Sequence, residues 1–288
     1  MKKLVPFAMF TVIIINVLLL FRGSVERKAA DRGYDQLVSE TVSLKPEEVH
    51  AESKDVSSDG SADTSVAAAT EAATEEVTEA ATEEASEEKE KIDYPALDID
   101  HAKLKEINAD YVGFLDIPVL DCKYPVVHSH DNAEYLHQDF EGNASVDGSI
   151  FMDCYTSADL SDANSFILGH NMKSGSMFGC LRRFYQEDGL CDQDPYVYLY
   201  TEDAVRKYRI AGYMQVAIDD PIYDLSTDFS DGKTYDDFIK RLRNESLYNV
   251  DASGIDFSQR PQLLTLSTCY GNGDSRFVVI AALEGVAK

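Results

Sequence analysis

Three side chains at the ends of apolar runs have the types and spacing for nucleophilic chemistry. Cys269 closes the run "QLLTLSTC", and Arg276 opens "RFVVIAAL" just beyond a glycine-rich turn, Tyr270-Gly271-Asn272-Gly273-Asp274. A tight hairpin there sets a thiol beside a guanidinium on one rim. A thiol becomes a good nucleophile when a base or a positive charge favours its thiolate. An arginine can hold a carbonyl substrate and offset charge on a tetrahedral oxygen. The third group is His170, which ends the run "SFILG" just before Asn171-Met172. An imidazole can take a proton from a thiol and hand it to a leaving amine. Each of the three also has an ordinary reading: a packed cysteine, a surface arginine after a turn, a structural histidine.

The remaining cysteines and histidines point elsewhere. Cys122, Cys154, Cys180 and Cys191 read as packing residues, Cys180 within an apolar helical pattern. With five cysteines, at least one thiol is unpaired within the chain. No C-x-x-C pair supports a structural zinc site. His128, His130 and His137 in "HSHDNAEYLHQDF" complete no ligand set and read as solvated loop residues. His101 falls on an exposed-looking helix and His50 in a low-complexity stretch. No metal and no cofactor is expected.

The elements that must position these groups begin near Ile92, where the composition turns globular. A short helix is expected near Ile99–Ile107, then a strand near Tyr111–Ile117. Further β-rich runs are "YPVVHS", "GSIFMD", "NSFILGH", "YVYLYTED", "VRKYRIAGYMQVAI", "QLLTLSTC" and "RFVVIAAL". Turn-forming residues separate most of them, and no strand–helix alternation appears. The pattern predicts a mainly β fold, a closed or nearly closed antiparallel barrel of about eight strands. Two inserts look helical. One carries Met177, Leu181 and Phe184 at helical spacing; the other carries Tyr235, Phe238, Ile239 and Leu242, with Thr234 and Asp237 as a near capping box.

The N-terminal third is different. Lys2 and Lys3 are basic, and residues 4–21 are mostly apolar and long enough to span a bilayer at about 1.5 Å per residue. Arg22-Gly23-Ser24 follows, with no A-x-A-like cleavage site, so an uncleaved anchor is preferred to a signal peptide. Lys2 and Lys3 flank one side; Arg22, Arg27, Lys28 and Arg32 flank the other. Counted simply, those charges favour the wrong orientation for an exported enzyme. Long domains override such counts, and an exported C-terminal domain is the expectation. Residues 46–91 are Ala/Thr/Glu/Ser-rich, with "EAATEE" at 71–76 and again at 79–84. They cannot bury a core. The expected organisation is a cytoplasmic 1–3, an anchor 4–21, a disordered acidic spacer 22–91 and a folded domain 92–288. That domain holds 16 basic and 33 acidic side chains, net −17. Such a surface repels a phosphate backbone, which argues against nucleic-acid binding.

"TLSTC" followed closely by "RFVV", with "ILGHNM" about a hundred residues upstream, resembles the sortase family of membrane-anchored cysteine transpeptidases of Gram-positive bacteria. "LKEINADYVGFLDIP", "YPVVHSHDNAEYL", "GSIFMD", "GHNMKSGSMFGCL" and the helical insert near 234–243 resemble class B members in order and spacing, over roughly residues 95–285. The resemblance implies a closed eight-stranded barrel with an N-terminal helix and an extra helix between late strands. It implies Cys269 as nucleophile, His170 as general acid/base and Arg276 as the group positioning substrate and oxyanion. Ser267, Thr268 and Asn171 are expected to contact substrate. The implied partners are surface proteins carrying an NPxTG- or SPxTG-like sorting signal, cleaved after Thr, and an amine of a peptidoglycan precursor. Pilus polymerisation, simple hydrolysis of the same signal, and a non-enzymatic tethered binding barrel are the alternatives.

Overall fold

The computed structural model describes residues 31–45, 93–223, 229–270 and 274–288. The expected anchor 4–21, its flanking charges up to Lys28, His50 and the repeats at 71–84 lie outside the described residues, as do residues 271–273 of the hairpin turn. Among the described residues no helix is long and apolar enough to cross a membrane.

Helix α1 covers 31–41 and runs into strand β1, Val42–Leu44; the chain returns as β2, Leu97–Ile99, and helix α2, His101–Ile107. The barrel strands follow: β3 Tyr111–Ile117, β4 Cys122–His128, β5 Ile150–Met152, β6 Asn164–Leu168, β7 Tyr196–Tyr200, β8 Val205–Ala217, β9 Leu263–Tyr270 and β10 Ser275–Ala287. Short helices α3, Arg183–Gln186, and α4, Leu190–Gln193, precede β7, and α5, Lys233–Glu245, lies between β8 and β9. The eight strands close in the order β10-β8-β7-β3-β4-β5-β6-β9. Every β-rich run of the sequence became one of these strands.

Two pairings depart from the antiparallel expectation. β4 runs parallel to β5, and β6 runs parallel to β9. Parallel neighbours need long crossovers, not tight turns. The first crossover contains the "DNAEYLHQDF" segment; the second brings together strands from distant parts of the chain.

Side chains alternate along the strands and feed two cores. On β10, Phe277, Val279 and Ala281 join the larger core, whereas Val278, Ile280 and Ala282 join a smaller one with Tyr235, Ile239 and Leu242 of α5. Each large apolar side chain buried there contributes roughly 1.5–3 kcal/mol. The capping box expected at Thr234 is not what starts α5. Gly232 occupies the N-cap, and Asp231 accepts hydrogen bonds from Thr234 N (2.8 Å) and Thr234 Oγ1 (3.0 Å), while Asp237 pairs with Lys233. A carboxylate just outside the first turn answers its open N–H groups better than a residue already inside it.

The expected boundary at residue 92 needs correction. Residues 31–44 belong to the same folded unit as the barrel. Tyr34, Leu37 and Thr41 on α1 are buried, and Tyr34 Oη donates to Gly148 O (3.0 Å) and accepts from Phe140 N (3.1 Å). β1 pairs antiparallel with β2, Leu44 opposite Leu97. The helical stripe at 34, 37 and 41 packs on a barrel wall, so the spacer expected over 22–91 does not include these residues.

Candidate active site

The catalytic candidates come from three adjacent strands. β6 and β9 are parallel with Leu168 opposite Ser267, and beyond β6 the bonds of Gly169 to Ser267 O and of Asn171 to Cys269 O carry the His170 segment along beside Cys269. β9 and β10 are antiparallel with Cys269 directly opposite Arg276. Cys269 therefore stands in the middle of a row, an imidazole on one side and a guanidinium on the other. Directly opposed side chains on neighbouring strands have Cβ atoms about 4.5–5.5 Å apart. Strand parity puts Cys269 on the face of Leu263, Thr265 and Ser267, and Arg276 on the face of Val278 and Ile280, which is the α5 side of the wall. All three site residues are partly exposed.

Beyond the end of β6 the row is held by side chains. Gly169 N donates to Ser267 O at 3.2 Å, and Thr268 Oγ1 donates to Gly169 O at 2.7 Å. Asn171 Nδ2 donates to Cys269 O at 2.6 Å. The backbone on both sides of His170 is thus fixed to the strand that carries the thiol. Asn171 Oδ1 is buried and has no hydrogen-bond partner among the described residues. An acceptor in that condition is costly unless a ligand satisfies it.

His170 Nε2 lies 2.8 Å from Leu136 O. A carbonyl only accepts, so Nε2 carries the proton, and in the neutral ring Nδ1 is the basic nitrogen. A backbone carbonyl thus does here what a carboxylate does in a serine-protease triad: it fixes tautomer and orientation. Gly148, at φ +61°, lies under the ring. A Cβ there would stand 2.6 Å from Tyr135 O and 3.1 Å from His170 Cδ2, so no side chain fits.

Of the residues expected to contact substrate, Ser267 and Thr268 are buried and have internal partners. Thr268 braces Gly169, and Ser267 Oγ is 2.7 Å from Tyr223 Oη. Tyr223 was not singled out from the sequence. It ends a turn after β8, in the 3-10 segment Pro221–Tyr223. Burial pushes its hydroxyl up to about 12, the Ser267 bond and the Arg276 cation opposing. Its only sequence signal is an aromatic in the turn "DDPIY". Arg276 Nη1 donates to Ser275 O at 3.2 Å. His130 and His137 are exposed as expected, but His128 lies in β4, partly buried, and His101 is partly buried with Nδ1 2.8 Å from Tyr111 Oη.

A family model described as Sortase domain matches residues 115–284. The chain is 33% identical over 168 residues to Sortase B of Listeria monocytogenes, an alignment covering 58% of this chain and 65% of that protein, just under two thirds of its length. Among solved structures, sortase B of Clostridium perfringens is similar with a TM-score of 0.58 at 32% identity, covering 64% of this chain and 99% of that one. A Staphylococcus aureus sortase B–substrate complex is similar with a TM-score of 0.57 at 25% identity, over 64% of this chain and 84% of that one.

Proposed function

Because this chain belongs to the sortase family, we propose that it is a class B sortase whose reaction is carried by Cys269, His170 and Arg276. The observation that supports this most directly is the row of three across β6, β9 and β10. Its substrate is a surface protein with a C-terminal sorting signal of the NPxTG or SPxTG type, and its acceptor is an amine of a peptidoglycan precursor.

The steps follow from the chemistry of the groups. Cys269 Sγ attacks the threonine carbonyl carbon while its proton passes to His170 Nδ1, leaving Nε2–H on Leu136 O. The carbonyl oxygen becomes an oxyanion facing the Arg276 guanidinium, a fixed cation with directed donors. As the C–N bond breaks, His170 returns the proton to the departing amine. A thioester remains on Cys269, reactive enough for an amine to displace it. The incoming amine loses its proton to His170, a second oxyanion forms beside Arg276, and collapse releases Cys269 and the new amide. Asn171 Oδ1 accepts an N–H of the bound peptide. Residues 4–21 anchor the enzyme in the membrane with the catalytic domain outside the cell.

Mass spectrometry of the enzyme with a signal peptide tests this reading. An acyl adduct on Cys269 is expected, with transfer to an added amine. Adduct and hydrolysis without transfer would indicate a peptidase instead; no adduct would remove the catalytic reading altogether.

A further inference from the structure

A second pair of thiols lies apart from the catalytic row. Cys122 is the first residue of β4, and Cys180 sits in the 3-10 helix Phe178–Arg182. They are 2% and 8% exposed. Two hydrogen bonds clamp their segments together on either side of the pair. Met177 N donates to Tyr124 Oη at 2.9 Å, and Arg183 Nη1 donates to Leu120 O at 3.5 Å. Between the clamps both are free thiols, and Cys180 is the neighbour that acts most strongly on the Cys122 thiol. Cys180 Sγ donates to Met177 O at 3.1 Å. The other non-catalytic thiols lie in different surroundings, Cys191 by Tyr248 and Cys154 by Asp153.

We propose that Cys122 and Cys180 are joined by a structural disulfide in the exported enzyme, formed by exchange with an external disulfide. One thiolate attacks the external disulfide and expels a thiol, giving a mixed disulfide; the second cysteine displaces the other thiol. Two protein thiols and one external disulfide become one protein disulfide and two external thiols, so the external disulfide is the oxidant. Thiol–disulfide exchange proceeds through a thiolate. The contact with Cys180 and then burial hold the Cys122 thiol well above its ordinary range in the folded chain. With both residues almost wholly buried in the folded chain, the bond forms before the helix closes over β4 and afterwards is shielded from external thiols.

The bridge has a place in the fold beyond stability. The helix carrying Cys180 supports the loop that follows His170. Gly179 packs so closely on the Met172 backbone that a Cβ would collide with it, and Arg182 donates to Met172 O (3.2 Å) and Lys173 O (3.0 Å). A disulfide from β4 would fix the base of that support.

The readout is a thiol map, not turnover, so it stands or falls independently of the catalytic reading. The full-length chain in detergent is refolded in a buffer of oxidised and reduced glutathione, then unfolded in N-ethylmaleimide and digested. The expected result is a linked Cys122–Cys180 peptide, lighter by two hydrogens, with both residues unlabelled. Labelling of both cysteines, or linkage of either to another partner, overturns the proposal. Melting gives a second reading. Reductant should lower the Tm of the oxidised wild type by about 5–10 °C and leave Cys122→Ala unaffected. A wild-type Tm indifferent to reductant would also overturn it.

Discussion

The rim at the ends of β6, β9 and β10 and the collar of α1, β1 and β2 are attached to one barrel by different means. At the rim, positions are set by strand register, and the braces are polar groups, buried for Thr268 to Gly169 and part-buried for Asn171 to Cys269 and His170 to Leu136. A one-residue slip there would turn every site residue to the other face. The collar is held by an apolar stripe, one tyrosine hydroxyl and three residue pairs between β1 and β2. The difference separates two kinds of dependence. The chemistry proposed for the rim depends on geometry, and its three site side chains are partly exposed. The collar adds stability and supplies none of the proposed catalytic groups.

Four measurements can break or sharpen that contrast. Cys269→Ala should lower turnover by at least about 10³-fold, as loss of a nucleophile does, with a Tm close to wild type because the thiol is partly exposed. A large drop in Tm would tie the rim's geometry to its stability after all. Arg276→Lys keeps the charge and loses the planar fork, so kcat on a signal peptide should fall by about 10²–10³ with KM less affected. A lysine enzyme within about threefold of wild type would mean that charge alone suffices there.

Removing residues 1–45 strips Tyr34, Leu37 and Thr41 from the wall. Loss of their burial should cost about 3–5 kcal/mol, roughly 10 °C in Tm, while kcat/KM per folded molecule stays within about threefold, below 1 kcal/mol. Loss of activity without loss of Tm would make the collar part of the site, acting through Tyr34 and Gly148. Replacing residues 46–91 by a short turn should have the smallest effect. Closing a shorter loop between β1 and β2 should raise stability by about 1.5 kcal/mol, at roughly 0.6 per halving of length. A lower Tm in thermal denaturation would show that the excised stretch supports the barrel.

What could be read from the sequence follows the same division. The eight strands were legible because each is a β-branched or aromatic run ending in turn residues, as in "QLLTLSTC" and "RFVVIAAL". Cys269, His170 and Arg276 were legible as polar groups at the ends of such runs. The parallel pairing of β6 with β9 was not, because register between distant strands leaves no local trace; yet that pairing is what brings His170 to Cys269. The Leu136 carbonyl was invisible for a simpler reason: a backbone acceptor has no residue signature. α1 was missed because "DRGYDQLVSET" is polar and adjoins low-complexity sequence. Its stripe of Tyr34, Leu37 and Thr41 occupies only one narrow face.

The pairing of Leu44 with Leu97 has a consequence for how far the enzyme can travel. The chain departs from one strand and comes back on its neighbour, so the intervening acidic stretch is a side branch and not part of the line to the bilayer. With the anchor proposed at 4–21, only residues 22–30 link it to α1. Nine residues extend to at most roughly 30 Å at 3.3–3.6 Å each. An anchor there would hold the start of α1 within about that distance of the lipid surface. Such tethering would raise the effective concentration of the proposed membrane-bound acceptor over one lying far from the bilayer.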